Sequence, residues 1–89
     1  MIRVAVTLHI PGREPAPCVT IAVNDHGAMV IFREPLPAGT PLILENDSTH
    51  KRIGCHVTRQ PKVTNEGAMV PLEFEKSMPG FWNIVFPSG

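Results

Sequence analysis

The chain has no tyrosine, a single tryptophan and no excess of charge: eight basic residues stand against eight acidic ones in 89. Balanced charge argues against nonspecific duplex or RNA binding, which draws on a basic stripe. No apolar run approaches the length needed to span a bilayer. The opening MIRVAVTLHIPG alternates and has no long apolar stretch of the kind that marks a secretory leader, so a cytoplasmic location is the expectation. Cysteine is scarce as well. Cys18 and Cys55 fit no metal-ligand spacing, and in a cytosolic chain two buried thiols are expected rather than a disulfide.

What the chain does have is proline, ten residues, and glycine, seven, punctuating short runs of Val, Ile and Leu. That pattern opposes helix and favours many short strands. The length suits one small domain over residues 1–89, burying roughly 60–65% of its unfolded surface. Residues 3–10 alternate cleanly, with Val4, Val6, Leu8 and Ile10 on one face. Residues 11–17 are too rich in proline for a hydrogen-bonded ladder and are expected to form a loop. Strand two is predicted at 18–23, with Val19, Ile21 and Val23 inward, and strand three at 28–32. Residues 33–41 form a second proline-glycine connection, followed by a short strand at 42–45 and a polar turn at 46–51. Strand five is predicted at 52–59 with Ile53, Cys55 and Val57 inward, then a loop at 60–67. Strand six covers 68–74, with Val70, Leu72 and Phe74 on one face. The tail holds Phe81 and Trp82; residues 81–86 read as an aromatic plug over one barrel end or as a last short strand. Trp82, with Met78 and Phe86, either fills the barrel mouth or forms a patch for a partner or a second copy. Six short strands at this spacing predict an all-β fold, a small six-stranded antiparallel barrel that leaves few open edges.

The most informative stretch is 20–32, TIAVNDHGAMVIF, which reads strand, polar turn, strand, with Gly27 at the reversal. It resembles the central signature of the PilZ family, bacterial domains that sense cyclic di-GMP. The family motif, Asp/Asn-x-Ser-x-x-Gly, falls on Ala22, Asn24 and Gly27, and only the glycine matches strictly. A degenerate branch of the family, whose turn runs close to Asn-x-Ser-Arg-His-Gly-Ala, matches His26, Gly27 and Ala28 directly. PLPAGTPLIL, IGCHVTRQ, AMVPLEF and the ending FWNIVFP are similar to further segments of the family or of that branch, so the resemblance covers nearly the whole chain.

The resemblance implies a noncatalytic signalling or adaptor module with a ligand site around Arg3, Asn24, His26 and Gly27. Cyclic di-GMP carries two phosphates and two guanines, and an arginine fork suits both. The family places two arginines four residues apart ahead of strand one, where this chain has Arg3 alone; Arg13 lies too far along to replace the other. Ala22 cannot read a guanine edge, and Asp25 brings a negative charge to the expected phosphate site. Removing one partner of a buried charged hydrogen bond costs about 2–5 kcal/mol. Such losses weaken a micromolar site by about three orders of magnitude. The expectation is therefore a weak or lost cyclic di-GMP site, with output through contacts with a protein partner, a neighbouring domain or a second copy. At Gly27, positive φ for the turn is expected to matter more than ligand approach. No cofactor, metal or membrane partner is expected: the four histidines and two cysteines have no ligand spacing, and Ser48, Ser77 and Cys55 lack a neighbouring base. The alternative is a small SH3-like or OB-type barrel that binds nucleic acid or serves as a structural interaction domain. That reading needs a basic face with exposed aromatics, and Arg52, His56 and Arg59 make no uniform face.

Overall fold

Alternation of apolar and polar residues becomes a pleated cylinder. The computed structural model describes residues 3–82, and among these no helix forms. The strands are β1 (Ala5–His9), β2 (Ala16–Asn24), β3 (Gly27–Phe32), β4 (Pro41–Asn46), β5 (Arg52–Val57), β6 (Lys62–Thr64) and β7 (Gly67–Phe74). Six of them close an antiparallel barrel in the order β3-β2-β1-β4-β5-β7, with β3 returning to pair with β7. The all-β, six-stranded barrel expected from the sequence is thus what the chain forms. Strand β6 is additional, pairs among the described residues with β7 alone, and stands outside the ring.

The inward faces of β1, β5 and β7 follow the sequence pattern. Val6, Leu8 and Ile10, then Ile53, Cys55 and Val57, then Val70, Leu72 and Phe74 are all buried. They meet Leu42 and Leu44 of β4 and Val30 and Phe32 of β3 in one continuous core. Burying such aliphatic side chains is the main favourable term in a chain this short, at about 1.5–3 kcal/mol each.

Strand β2 departs from the expected pattern. The residues facing the core are Ala16, Cys18 and Thr20, while Val19 and Ile21 are half-buried on the outer side. The cause is a bulge: the β2–β3 register shifts between Thr20 and Ala22, leaving Ile21 unpaired. One extra residue inverts the alternation, so Val23 packs inward as predicted but Val19 and Ile21 do not. Thr20 is fully buried, and its hydroxyl accepts the Val4 N–H at 2.9 Å.

Two loops are also shorter than predicted. Ala16 and Pro17 belong to β2, where Pro17 lies opposite Thr7. This part of β2 precedes its pairing with β3, which begins at Val19. With β1 on one side and an open edge on the other, a missing N–H is tolerated. The expected loop at 60–67 contains β6, whose Val63 lies opposite Ala68. Strand five ends at Val57, two residues early, where the chain turns outward and the Thr58 N–H donates to the Pro71 carbonyl at 3.1 Å.

One end of the barrel is stoppered. Phe81 is completely buried and Trp82 nearly so. The Phe81 ring meets Phe74 edge-on at 5.2 Å between centroids and Trp82 at 4.9 Å. The structure therefore decides for a plug over an exposed aromatic patch at Phe81 and Trp82. Phe86 lies outside the described residues. The plug is tied down by Asn46, a buried polar side chain whose Nδ2 donates to the Phe81 carbonyl at 2.9 Å. Its Oδ1 accepts the Ser48 N–H at 3.0 Å, so the amide is satisfied on both sides.

Candidate functional site at the β2–β3 turn

Strands β2 and β3 are joined through Asp25 and His26, with Asn24 paired to Gly27 across the mouth of the turn. The Asn24 Oδ1 accepts the His26 N–H at 2.7 Å, an Asx turn in which the side chain imitates the backbone. No residue of this reversal has positive φ; among the described residues the left-handed glycines are Gly12, Gly39, Gly67 and Gly80. The expectation of positive φ at Gly27 is therefore corrected. Glycine is required there by close approach: a Cβ on Gly27 would stand 2.1 Å from the Leu72 carbonyl oxygen of β7. The barrel closes against this position, and any side chain would hold β3 and β7 apart.

The turn's backbone carbonyls all serve the C-terminal segment. Trp82 Nε1 donates to the Asn24 oxygen at 2.9 Å. The Met78 N–H donates to the Asp25 oxygen at 3.1 Å, and the Phe74 N–H to the His26 oxygen at 2.7 Å. Three successive acceptors are thus taken by β7 and by the chain that follows it. The turn is an anchor for the plug.

Beside it lies an open hollow of about 270 Å³, to which Asn24, His26 and Gly27 contribute together. Arg3 is not among its walls. It lines a separate hollow of about 360 Å³ with Ile21, Ile31 and Glu66, near the β6–β7 hairpin. Arg59 takes the place in the turn hollow that Arg3 was expected to fill, with Thr58 and Glu73 alongside. Reading along the sequence offered no pointer to this, because Arg59 reaches the turn only through the pairing of β3 with β7 and the exit of the chain from β5. Among the described residues the hollow thus holds one guanidinium, one amide, one imidazole and one carboxylate. These can bind a small polar group, but they do not form an arginine fork.

Elsewhere, titratable side chains are used structurally. Glu45 on β4 accepts from or pairs with His9 at 2.6 Å, Arg52 at 3.3 Å and His50 at 3.4 Å. The His9 hydrogen bond, with help from His50 and Arg52, holds its carboxyl below the usual value despite some desolvation. Cys55 is buried and Cys18 half-buried, and both are free thiols. Burial pushes each up to about 12, with Asp47 adding to the effect at Cys18 and Glu75 at Cys55. Thiols held protonated are poor nucleophiles. Among the described residues no group of three or more His, Cys, Asp or Glu side chains converges on a metal position.

No protein-family model matches the chain, and no curated protein and no solved structure is found similar to it. What it shares with the PilZ pattern is the small six-stranded antiparallel barrel.

Proposed function

We propose that this barrel is a noncatalytic signalling or adaptor module of the PilZ type, working in a bacterial cytoplasm, whose cyclic di-GMP site has decayed and whose output is contact with another protein or domain. The observation that carries the reading is the separation of Arg3 from Asn24, His26 and Gly27, which line different hollows. A ligand with two phosphates and two guanines needs convergent bidentate cations, and among the described residues the turn hollow offers Arg59 alone. The occupied turn carbonyls favour the same view, because the segment that resembles the ligand motif is committed to holding the plug. A single guanidinium among the described residues of the hollow, in place of a fork, costs affinity in the range already derived, about three orders of magnitude. Isothermal calorimetry with cyclic di-GMP tests this. No heat of binding at tens of micromolar ligand is expected, and low-micromolar affinity would overturn the proposal. A gel shift of single-stranded nucleic acid at low salt is expected to show no retardation, which separates the adaptor from a nucleic-acid-binding barrel.

A further inference from the structure

The outside of the barrel is not uniform. On β1, β4 and β5 the outward positions include Thr7, His9, Glu45, Arg52 and His56, and their charges are largely neutralised locally, as at Glu45. On β2, β3, β7 and β6 the register builds something different. Val19, Ile31, Met69 and Lys62 are successive cross-strand partners in one row. Ala22, Met29 and Pro71 form the next row. Alternation with the buried Val30 and Val70 directs these side chains away from the core. The bulge at Ile21 adds one more apolar side chain to the same side.

This face is grooved. Met29 lines both the turn hollow and a second hollow of about 210 Å³ that includes Arg59 and Lys62. Met69 lines that second hollow and also the one holding Arg3. The three therefore stand in a row as separate compartments of one segmented trough along β3, neighbours sharing Met29 or Met69 as a wall. This strand of six residues spans about 20 Å at the usual rise per residue. Its cations are unneutralised: among the described residues, Arg3, Arg59 and Lys62 have no carboxylate within ion-pairing distance. Two acids also border the trough. Glu66 sits near Arg3, and Glu73 near Arg59, but Glu73 is turned towards His56 at 3.6 Å.

We infer that this trough is the output surface, and that it takes an extended acidic segment of a partner protein whose alternate residues are aliphatic. The inference rests on the adaptor reading above and names its partner chemistry. An extended strand matches the trough's length. Alternation would place aliphatic side chains on Met29, Ile31 and Met69 and carboxylates on the segment's other face, where the long side chains of Arg3, Arg59 and Lys62 reach around to them. Methionine suits such a role because its flexible thioether adapts to varied aliphatic shapes. Among the described residues no Phe, Tyr or Trp side chain lines the trough, so a nucleic acid would find no row of large rings to stack its bases on there.

The test is methyl NMR on the full chain labelled at methionine. The probe is a peptide of about eight residues alternating glutamate and leucine, enough to exceed the trough. A peptide alternating lysine and leucine is the control. The glutamate peptide is expected to shift the Met29 and Met69 methyls saturably, with a dissociation constant below about 1 mM, and to leave Met78, packed at the plug, unmoved. Combining Arg59→Glu with Lys62→Glu, both at exposed positions, is expected to weaken binding about tenfold or more with an unchanged thermal melt. Equal binding of the lysine peptide, or no shift at either methyl, overturns the inference. So does sedimentation showing a dimer that the double charge reversal dissociates, since a second copy would then cover the face. Calorimetry with cyclic di-GMP judges the underlying reading separately. Low-micromolar binding sinks the decayed site and leaves the peptide result standing, whereas a silent peptide with no dinucleotide binding sinks only the trough.

Discussion

Gly27 shows how one atom can decide a barrel. A methyl group there would collide with a backbone carbonyl on β7, which cannot rotate aside as a side chain could. Gly67 is similarly confined, with φ of 130° and a prospective Cβ 2.7 Å from the Phe32 oxygen. These glycines sit at opposite ends of the β3–β7 seam, Gly27 opposite Glu73 and Gly67 against the Phe32 carbonyl, and each lets the two backbones approach at its end. Gly27→Ala is expected to destabilise the fold by about 1–3 kcal/mol, towards the upper limit because the obstacle is main chain. Urea denaturation followed by far-UV circular dichroism measures it; a midpoint equal to that of the parent would refute the close-approach argument. A ligand-contact role alone would leave stability untouched, so the experiment also separates structure from recognition at the residue most reminiscent of the PilZ motif.

Among the elements, the segment after β7 carries more than its length suggests. Phe81 fills the barrel end and Trp82 covers it, while the β2–β3 turn and Asn46 supply the polar anchors. Phe81→Ala is expected to cost about 3–5 kcal/mol, because a large buried ring leaves a cavity that a closed barrel cannot collapse around. Trp82→Phe keeps most of the apolar cover and removes one N–H donor, at a cost of about 1 kcal/mol. Thermal melts of the two variants should therefore differ widely, with Phe81→Ala at or near global unfolding and Trp82→Phe folded. Similar losses in both would mean that the Nε1–Asn24 bond, rather than filling of the barrel mouth, dominates the plug.

For the molecule as a whole, Glu45 links acid stability to the packing of three adjoining strands. Its partners come from β1, β5 and the turn after β4. A carboxyl held below its ordinary value of 4.5 stabilises the folded state above that pH, and the contribution is lost as pH falls through the depressed folded value. Glu45→Gln is therefore expected to be less stable than the parent at neutral pH, with the gap narrowing below about 4.5. Denaturant midpoints taken from pH 7 to pH 3 check this, and a gap that widens on acidification would contradict the assignment.

Alternation is a local property, which is why the inward faces of β1, β5 and β7 and the antiparallel barrel itself could be read from the order of residues. Proline and glycine marked the breaks, and the aromatic cluster at Phe81 and Trp82 was visible, but whether it plugs the barrel or lies on its surface depends on burial that only the fold supplies. Other features depend on which strands meet and in what register, and a single strand's pattern contains neither. The bulge at Ile21 inverts a face because β2 must satisfy β1 and β3 at once. Strand β6 exists because β7 leaves it an edge to pair with. Gly27 is confined by a strand some forty residues away in the chain, and Arg59 rather than Arg3 reaches the turn hollow for the same reason. Local chemistry determined which segments would pleat; closure of β3 onto β7 decided which side chains share a surface, because contact between distant segments is fixed only when the cylinder shuts.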